Sequence, residues 1–143
     1  KETIMKKVFL LSMISFLSAT AISCNNNDDY PEITEVSARK IDSVKIPIDT
    51  MTLGVTQEFK IYSTFTRGCE GIYSYDYNYT NDSVRTIANF AYKTNEACAD
   101  GTYVDGSRIN FKPVKTGTYT FKFFTGKDTA GVNTYFEKKV VVE

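Results

Sequence analysis

Lys115-Thr116-Gly117-Thr118-Tyr119-Thr120-Phe121-Lys122-Phe123 decides how this chain folds. From Thr118 onward, polar and aromatic residues alternate. Tyr119, Phe121 and Phe123 therefore share one face of an extended segment, and Thr118, Thr120 and Lys122 take the other. Three rings on one face leave water only if a second layer covers them. The Thr-Gly step just ahead is a turn signal that starts the strand.

The same alternation recurs upstream. Ile33 to Ala38 reads as a first strand. Val44 to Ile48 reads as a second, which Pro47 confines to an edge or a bulge. Glu58 to Phe65 places Phe59, Ile61, Ser63 and Phe65 on one face, and Ile72 to Tyr79 follows. Val84 to Tyr92 is a weaker strand pattern, and Arg108 to Phe111 a short one stopped by Pro113. Thr118 to Phe124 and Tyr135 to Val142 complete the set, with Thr125 to Asn133 as the hairpin loop between them. No apolar pattern of helical period runs for a useful length in this region. The expectation is an all-β, two-sheet antiparallel sandwich of seven to eight strands over residues 32–143.

The start of the chain reads differently. Lys6 and Lys7 precede an uncharged, mostly apolar run from Val8 to Ile22, which ends in Ala21-Ile22-Ser23-Cys24. A basic start, an apolar middle and small residues form the secretory pattern, and the run is short of the ~20 residues of a membrane span. Residues 1–23 are expected to be a signal peptide, with Met5 the initiator. Ala21-Ile22-Ser23-Cys24 resembles the lipobox of bacterial lipoproteins, with Ala21 where Leu is usual. That resemblance implies a mature N-terminus at Cys24, diacylated on its sulfur and anchored in the membrane. Asn25-Asn26-Asn27-Asp28-Asp29 has no apolar residue to bury, so residues 24–31 are expected to be a lipidated tether. Acidic residues just behind such a Cys resemble the signal that displays lipoproteins of Bacteroidota on the outer membrane's outer face; the other expectation is a periplasm-facing position.

The final third adds a second likeness. Gly117-Thr118-Tyr119 resembles the corner between strands E and F of immunoglobulin-like domains, where the Tyr hydroxyl bonds back to the corner backbone. Tyr119 is the candidate. No Cys follows two residues later and the chain has no Trp, so an antibody-type domain is not expected. Lipobox, polar tether, Gly68-Cys69, Cys98 and Gly117-Thr118-Tyr119 together resemble small immunoglobulin-like lipoproteins of Bacteroidota. That family has no assigned activity, so the likeness implies fold and location, not mechanism.

With Cys24 lipidated, Cys69 and Cys98 remain, and an oxidising compartment makes a disulfide between them the expectation. The chain contains no His, which removes Ser-His-Asp and Cys-His catalysis and the commonest zinc ligands. No enzyme activity, cofactor or metal is expected. Glu70, Asp76, Glu96, Asp100 and Asp105 are the carboxylates from which a glycosidase-like pair would have to come, and they lie in turn-like segments. Glu96 to Asp105 holds carboxylates and glycines, but not at the spacing of a calcium loop, and reads as a polar loop tip. Removing Lys1, Lys6, Lys7 and Glu2 with the signal peptide leaves 14 basic and 16 acidic residues, which is no footprint for nucleic acid.

Two patterns point to the surface. Tyr73, Tyr75, Tyr77 and Tyr79 fall on one strand face, opposite Ser74, Asp76 and Asn78. The polar opposite face makes burial of the tyrosines the first expectation; an exposed ladder for a protein or glycan partner is the second. Asp42-Ser43-Val44, Asp49-Thr50-Met51, Asp82-Ser83-Val84 and Asp128-Thr129-Ala130 each read Asp, hydroxyl, apolar. These resemble O-glycosylation acceptors of exported Bacteroidota proteins, at Ser43, Thr50, Ser83 and Thr129, although Asp-Ser and Asp-Thr are also common turn pairs. The function expected is a membrane-anchored, non-catalytic binding or accessory module. The alternatives are a structural envelope component and, last, a carboxylate-dependent glycan hydrolase.

Overall fold

The computed structural model describes residues 30–143; the expected signal peptide, Cys24 and nearly all of the expected tether lie outside the described residues. Nine strands follow one another: β1 (Ile33–Arg39), β2 (Ser43–Lys45), β3 (Thr50–Met51), β4 (Gln57–Arg67), β5 (Glu70–Tyr79), β6 (Val84–Thr94), β7 (Asp100–Phe111), β8 (Gly117–Lys127) and β9 (Asn133–Val142). They form a six-stranded sheet of β1, β3, β5, β6, β8 and β9, and a three-stranded sheet ordered β2-β4-β7. The described residues are all-β, and the two sheets pack as a sandwich.

The larger sheet is organised around β6. One edge of β6 carries β5 in antiparallel register, from Glu70 opposite Lys93 to Tyr79 opposite Arg85. Two strands divide its other edge. Val84–Ile87 runs parallel to Thr120–Phe123 of β8, and Asn89–Thr94 runs antiparallel to β1. Where β1 ends, Ile41 N–H donates to Phe124 O (2.8 Å) in one sheet and Asp42 N–H to Tyr62 O (2.8 Å) in the other. That crossing closes one side of the sandwich.

The aromatic row of β8 lies at the centre. Phe121 and Phe123 are fully buried and Tyr119 nearly so. Phe121 meets Phe59 of β4 and Phe111 of β7 edge to face, at 4.9 and 5.0 Å between ring centroids. Tyr119 donates its hydroxyl to Lys115 O (3.1 Å), four residues upstream, as expected of the corner. Gly117 takes φ of 124° there, a backbone state that a side chain opposes. Asn89 Nδ2 donates to Ser63 Oγ (3.0 Å), which donates to Lys40 O (2.8 Å), so one polar thread also joins the sheets. Cys69 and Cys98 form a disulfide with Cα atoms 5.1 Å apart, joining the chain just before β5 to that just before β7.

Several expectations change. The larger sheet is mixed, because β6 pairs β8 in parallel and β3 pairs β9 in parallel. Parallel neighbours need a long crossover, and β7, lying in the other sheet, supplies it between β6 and β8. The described residues form nine strands rather than seven or eight, since the two-residue β3 is too short to show a period. The weak pattern at Val84 is the most heavily paired strand of its sheet. The short segment at Arg108 extends back to Asp100, held along its length by β4. Strand β8 runs to Lys127, which shrinks the hairpin to a turn capped by Asp128 Oδ1, the acceptor for Ala130 and Val132 N–H (2.9 Å each). Strand β2 stops at Lys45, ahead of Pro47.

Two outcomes follow from this packing. Replacing both bridged cysteines by serine should cost roughly 3–4 kcal/mol in urea unfolding, the chain-entropy cost of a loop with 29 residues of separation; an unchanged midpoint would contradict the bridge. Tyr119→Phe should cost about 1 kcal/mol by the same measurement, one hydrogen bond lost with the ring retained.

Candidate functional site

Strand β5 is an outermost strand. It pairs only with β6, so its other edge meets no strand among the described residues. Natural edges are guarded by Lys, Pro, short length or bulges. β5 is ten residues long, contains neither Lys nor Pro, and has a single bulge between Ile72 and Ser74. The bulge inserts Tyr73 as an extra residue, so Tyr73 leaves the alternation and the single four-tyrosine face becomes a row of three.

Tyr75, Tyr77 and Tyr79 stand opposite Asn89, Ile87 and Arg85 of β6, all buried. They occupy the inner face, as the polar residues opposite them imply, yet burial is incomplete. Tyr73, Tyr75 and Tyr79 are 56%, 42% and 72% exposed, and Tyr77 is half-buried against the core. The row turns inward at the rim of its sheet and stays open to solvent.

Beneath it lies a residue that sequence reasoning missed. Arg85 is buried and has no carboxylate partner within salt-bridge distance among the described residues. Its guanidinium donates to Asn81 O (2.6 Å), Val84 O (3.1 Å) and Asp82 O (3.1 Å). It lies 4.2 Å from the Tyr79 ring centroid and 5.4 Å from that of Tyr119. Carbonyls and ring faces replace a counterion and hold Tyr79 in place while most of it faces water. The available signal was an Arg in phase with Ile87 and Asn89. Arg85 Nε and Asn89 Oδ1 have no hydrogen-bond partner among the described residues, and both belong to direct cross-strand partners of the row.

Tyr77 packs at 5.5 Å against Tyr79, edge to face. Burial pushes its phenol up to about 12, against a smaller opposing effect of Arg85. The site thus offers exposed rings, held in place, along a strand edge that pairs with no strand among the described residues. This arrangement suits recognition of an extended chain by strand addition.

Glu70 contacts Arg39 at 3.8 Å. Burial, followed by Tyr92, Asp105 and Glu70, raises the Tyr103 phenol, whose hydroxyl donates to Glu70 O. Asp76 accepts from Asn78 Nδ2 (3.2 Å) on the opposite face of β5. Glu96 to Asp105 is not one loop tip, because β7 begins at Asp100. Among the described residues no group of three His, Cys, Asp or Glu could hold a metal ion. Ser43, Thr50, Ser83 and Thr129 are all exposed. Their preceding Asp residues also serve locally: Asp42 Oδ2 accepts from Thr64 N–H (2.7 Å), Asp82 pairs with Lys115 (2.7 Å), and Asp128 caps the last hairpin.

No family model, no curated protein and no solved structure matches this chain.

The Tyr77 shift has a measurable sign. Its folded pKa lies above the ordinary value of 10, so between about 10 and 12 the folded state holds more protons than the unfolded state. Its contribution to stability is present below pH 10 and is lost as pH rises toward 12. Tyr77→Phe should flatten that alkaline loss in a urea series from pH 8 to 12; an identical slope in the variant would contradict the assignment.

Proposed function

We propose that this chain is an exported lipoprotein, held in the outer membrane by acyl chains on Cys24 and displayed at the cell surface, whose sandwich is a non-catalytic immunoglobulin-like binding module. The export pattern, Cys24 and the polar tether support the location. The Tyr119 corner supports the immunoglobulin-like reading. The observation that carries binding is the edge of β5: a ten-residue strand without Lys or Pro, beside exposed Tyr75 and Tyr79. Its unpaired backbone favours an extended polypeptide as partner, with the rings selecting its side chains.

Two measurements test this reading. A fatty-acid probe should label the wild-type chain and not Cys24→Ala; labelling that persists would overturn the anchor. A photo-crosslinking residue at position 75 or 79 should trap a protein on intact cells, and one at Val132 should not. Equal trapping at all three, or none at any, would overturn β5 as the contact.

A further inference from the structure

The outer face of the three-stranded sheet carries a different surface, independent of the β5 edge. Because Phe59, Ile61 and Val44 turn inward, Lys60, Tyr62 and Lys45 turn outward. Lys45 stands directly opposite Lys60, and Lys60 directly opposite Arg108. Three cations therefore cross all three strands in one row, at the ~4.8 Å spacing of neighbouring strands. Like charges placed opposite one another destabilise a sheet. One carboxylate relieves the row at its end, Glu58 at 3.7 Å from Arg108, while Lys45 and Lys60 form no ion pair among the described residues.

Tyr62 is the cross-strand partner of Gly106, and its ring lies over that glycine; a methyl group there would come within 2.9 Å of Tyr62 Cδ1. Two shallow depressions lie on this face, and a third opens beside it, between β2 and β9. The first follows Tyr62, Gly106, Arg108 and Lys60; the second, sharing Lys60, follows Glu58, Pro47 and Lys45; the third, sharing Lys45, reaches Asp49, Lys138 and Lys139. Linked through Lys60 and Lys45, the three trace a track with cations along it, the Tyr62 ring near one end, and Glu58 and Asp49 among them.

We infer that this track binds a linear, intermittently anionic polysaccharide. The cations attract its carboxylates, the Tyr62 ring offers a flat face to a sugar's C–H face, and Glu58 and Asp49 accept its hydroxyls. The same two carboxylates oppose a polymer with a charge at every unit, which disfavours nucleic acid. A built track with an aromatic plate also differs from the diffuse basic patch that rests on anionic lipid.

The test uses the full chain and hyaluronan oligosaccharides, which carry a carboxylate on alternate sugars. Dextran, oligo-dT and phosphatidylglycerol vesicles serve as comparators. Hyaluronan should bind, more weakly as salt rises, and Lys45→Gln/Lys60→Gln should weaken binding about tenfold. Lys45→Gln alone, at an exposed position that leaves the core intact, should lose part of that affinity, and Tyr62→Leu should lose affinity without changing the salt dependence. The inference is overturned if hyaluronan does not bind at low salt, if dextran binds equally well, if oligo-dT or the vesicles bind more tightly, or if the lysine variants bind like the parent.

Discussion

Everything in this sandwich depends on covering the rings of β8. Phe121 lies at the centre of the core between the two sheets, and its edge-to-face contacts with Phe59 and Phe111 link β8 to β4 and β7. Removing such a ring from a filled core costs about 3–5 kcal/mol, a large part of what holds a domain of this size together. The contact also sets the strand registers. A one-residue slip of β8 would turn Thr118, Thr120 and Lys122 inward and place three rings in water.

Around that contact the chain solves a topological problem. β6 must be flanked on one edge by both β1 and β8, one antiparallel and one parallel. The route from β6 to β8 passes through β7 in the opposite sheet, so the crossover that a parallel pair requires is itself a structural strand. The disulfide fastens the starts of β5 and β7, each an outermost strand of its sheet. That staple holds one end of both edges while their remaining length stays accessible. Rigidity at one end and an open edge beyond it suit a module that offers a strand to a partner.

Much of the fold was legible because alternation is local. Every segment with a clean period of two around Phe59, Phe121 or Val140 became a strand, and the corner at Tyr119 could be read from three residues. The failures share one cause. β7 is a strand along Asp100–Asp105 because β4 pairs with it, not because its own sequence, with Gly101 and Gly106, favours extension. The alternation put four tyrosines on one face of β5, but the bulge removes Tyr73 from it and Tyr75 and Tyr79 stay largely exposed, which no local pattern encodes. Arg85 went unnoticed because its role appears only when Tyr79 and Tyr119, from two other strands, meet over it.

By itself the sequence determined the all-β class, the inward face of most strands, the two cysteines available for a bridge, and the exclusion of histidine-dependent chemistry. These depend on residue type and on a two-residue period, both of which survive without a third dimension. Only the tertiary structure decided that the larger sheet is mixed, that Tyr73 bulges out of its row, that β5 is an edge, and that Lys45, Lys60 and Arg108 lie side by side. Those facts are set by strand order and register, which arise from the competition of all strands for the same core. Residues 45, 60 and 108 are far apart in the chain, and hydrogen-bond pairing alone brings them into one row.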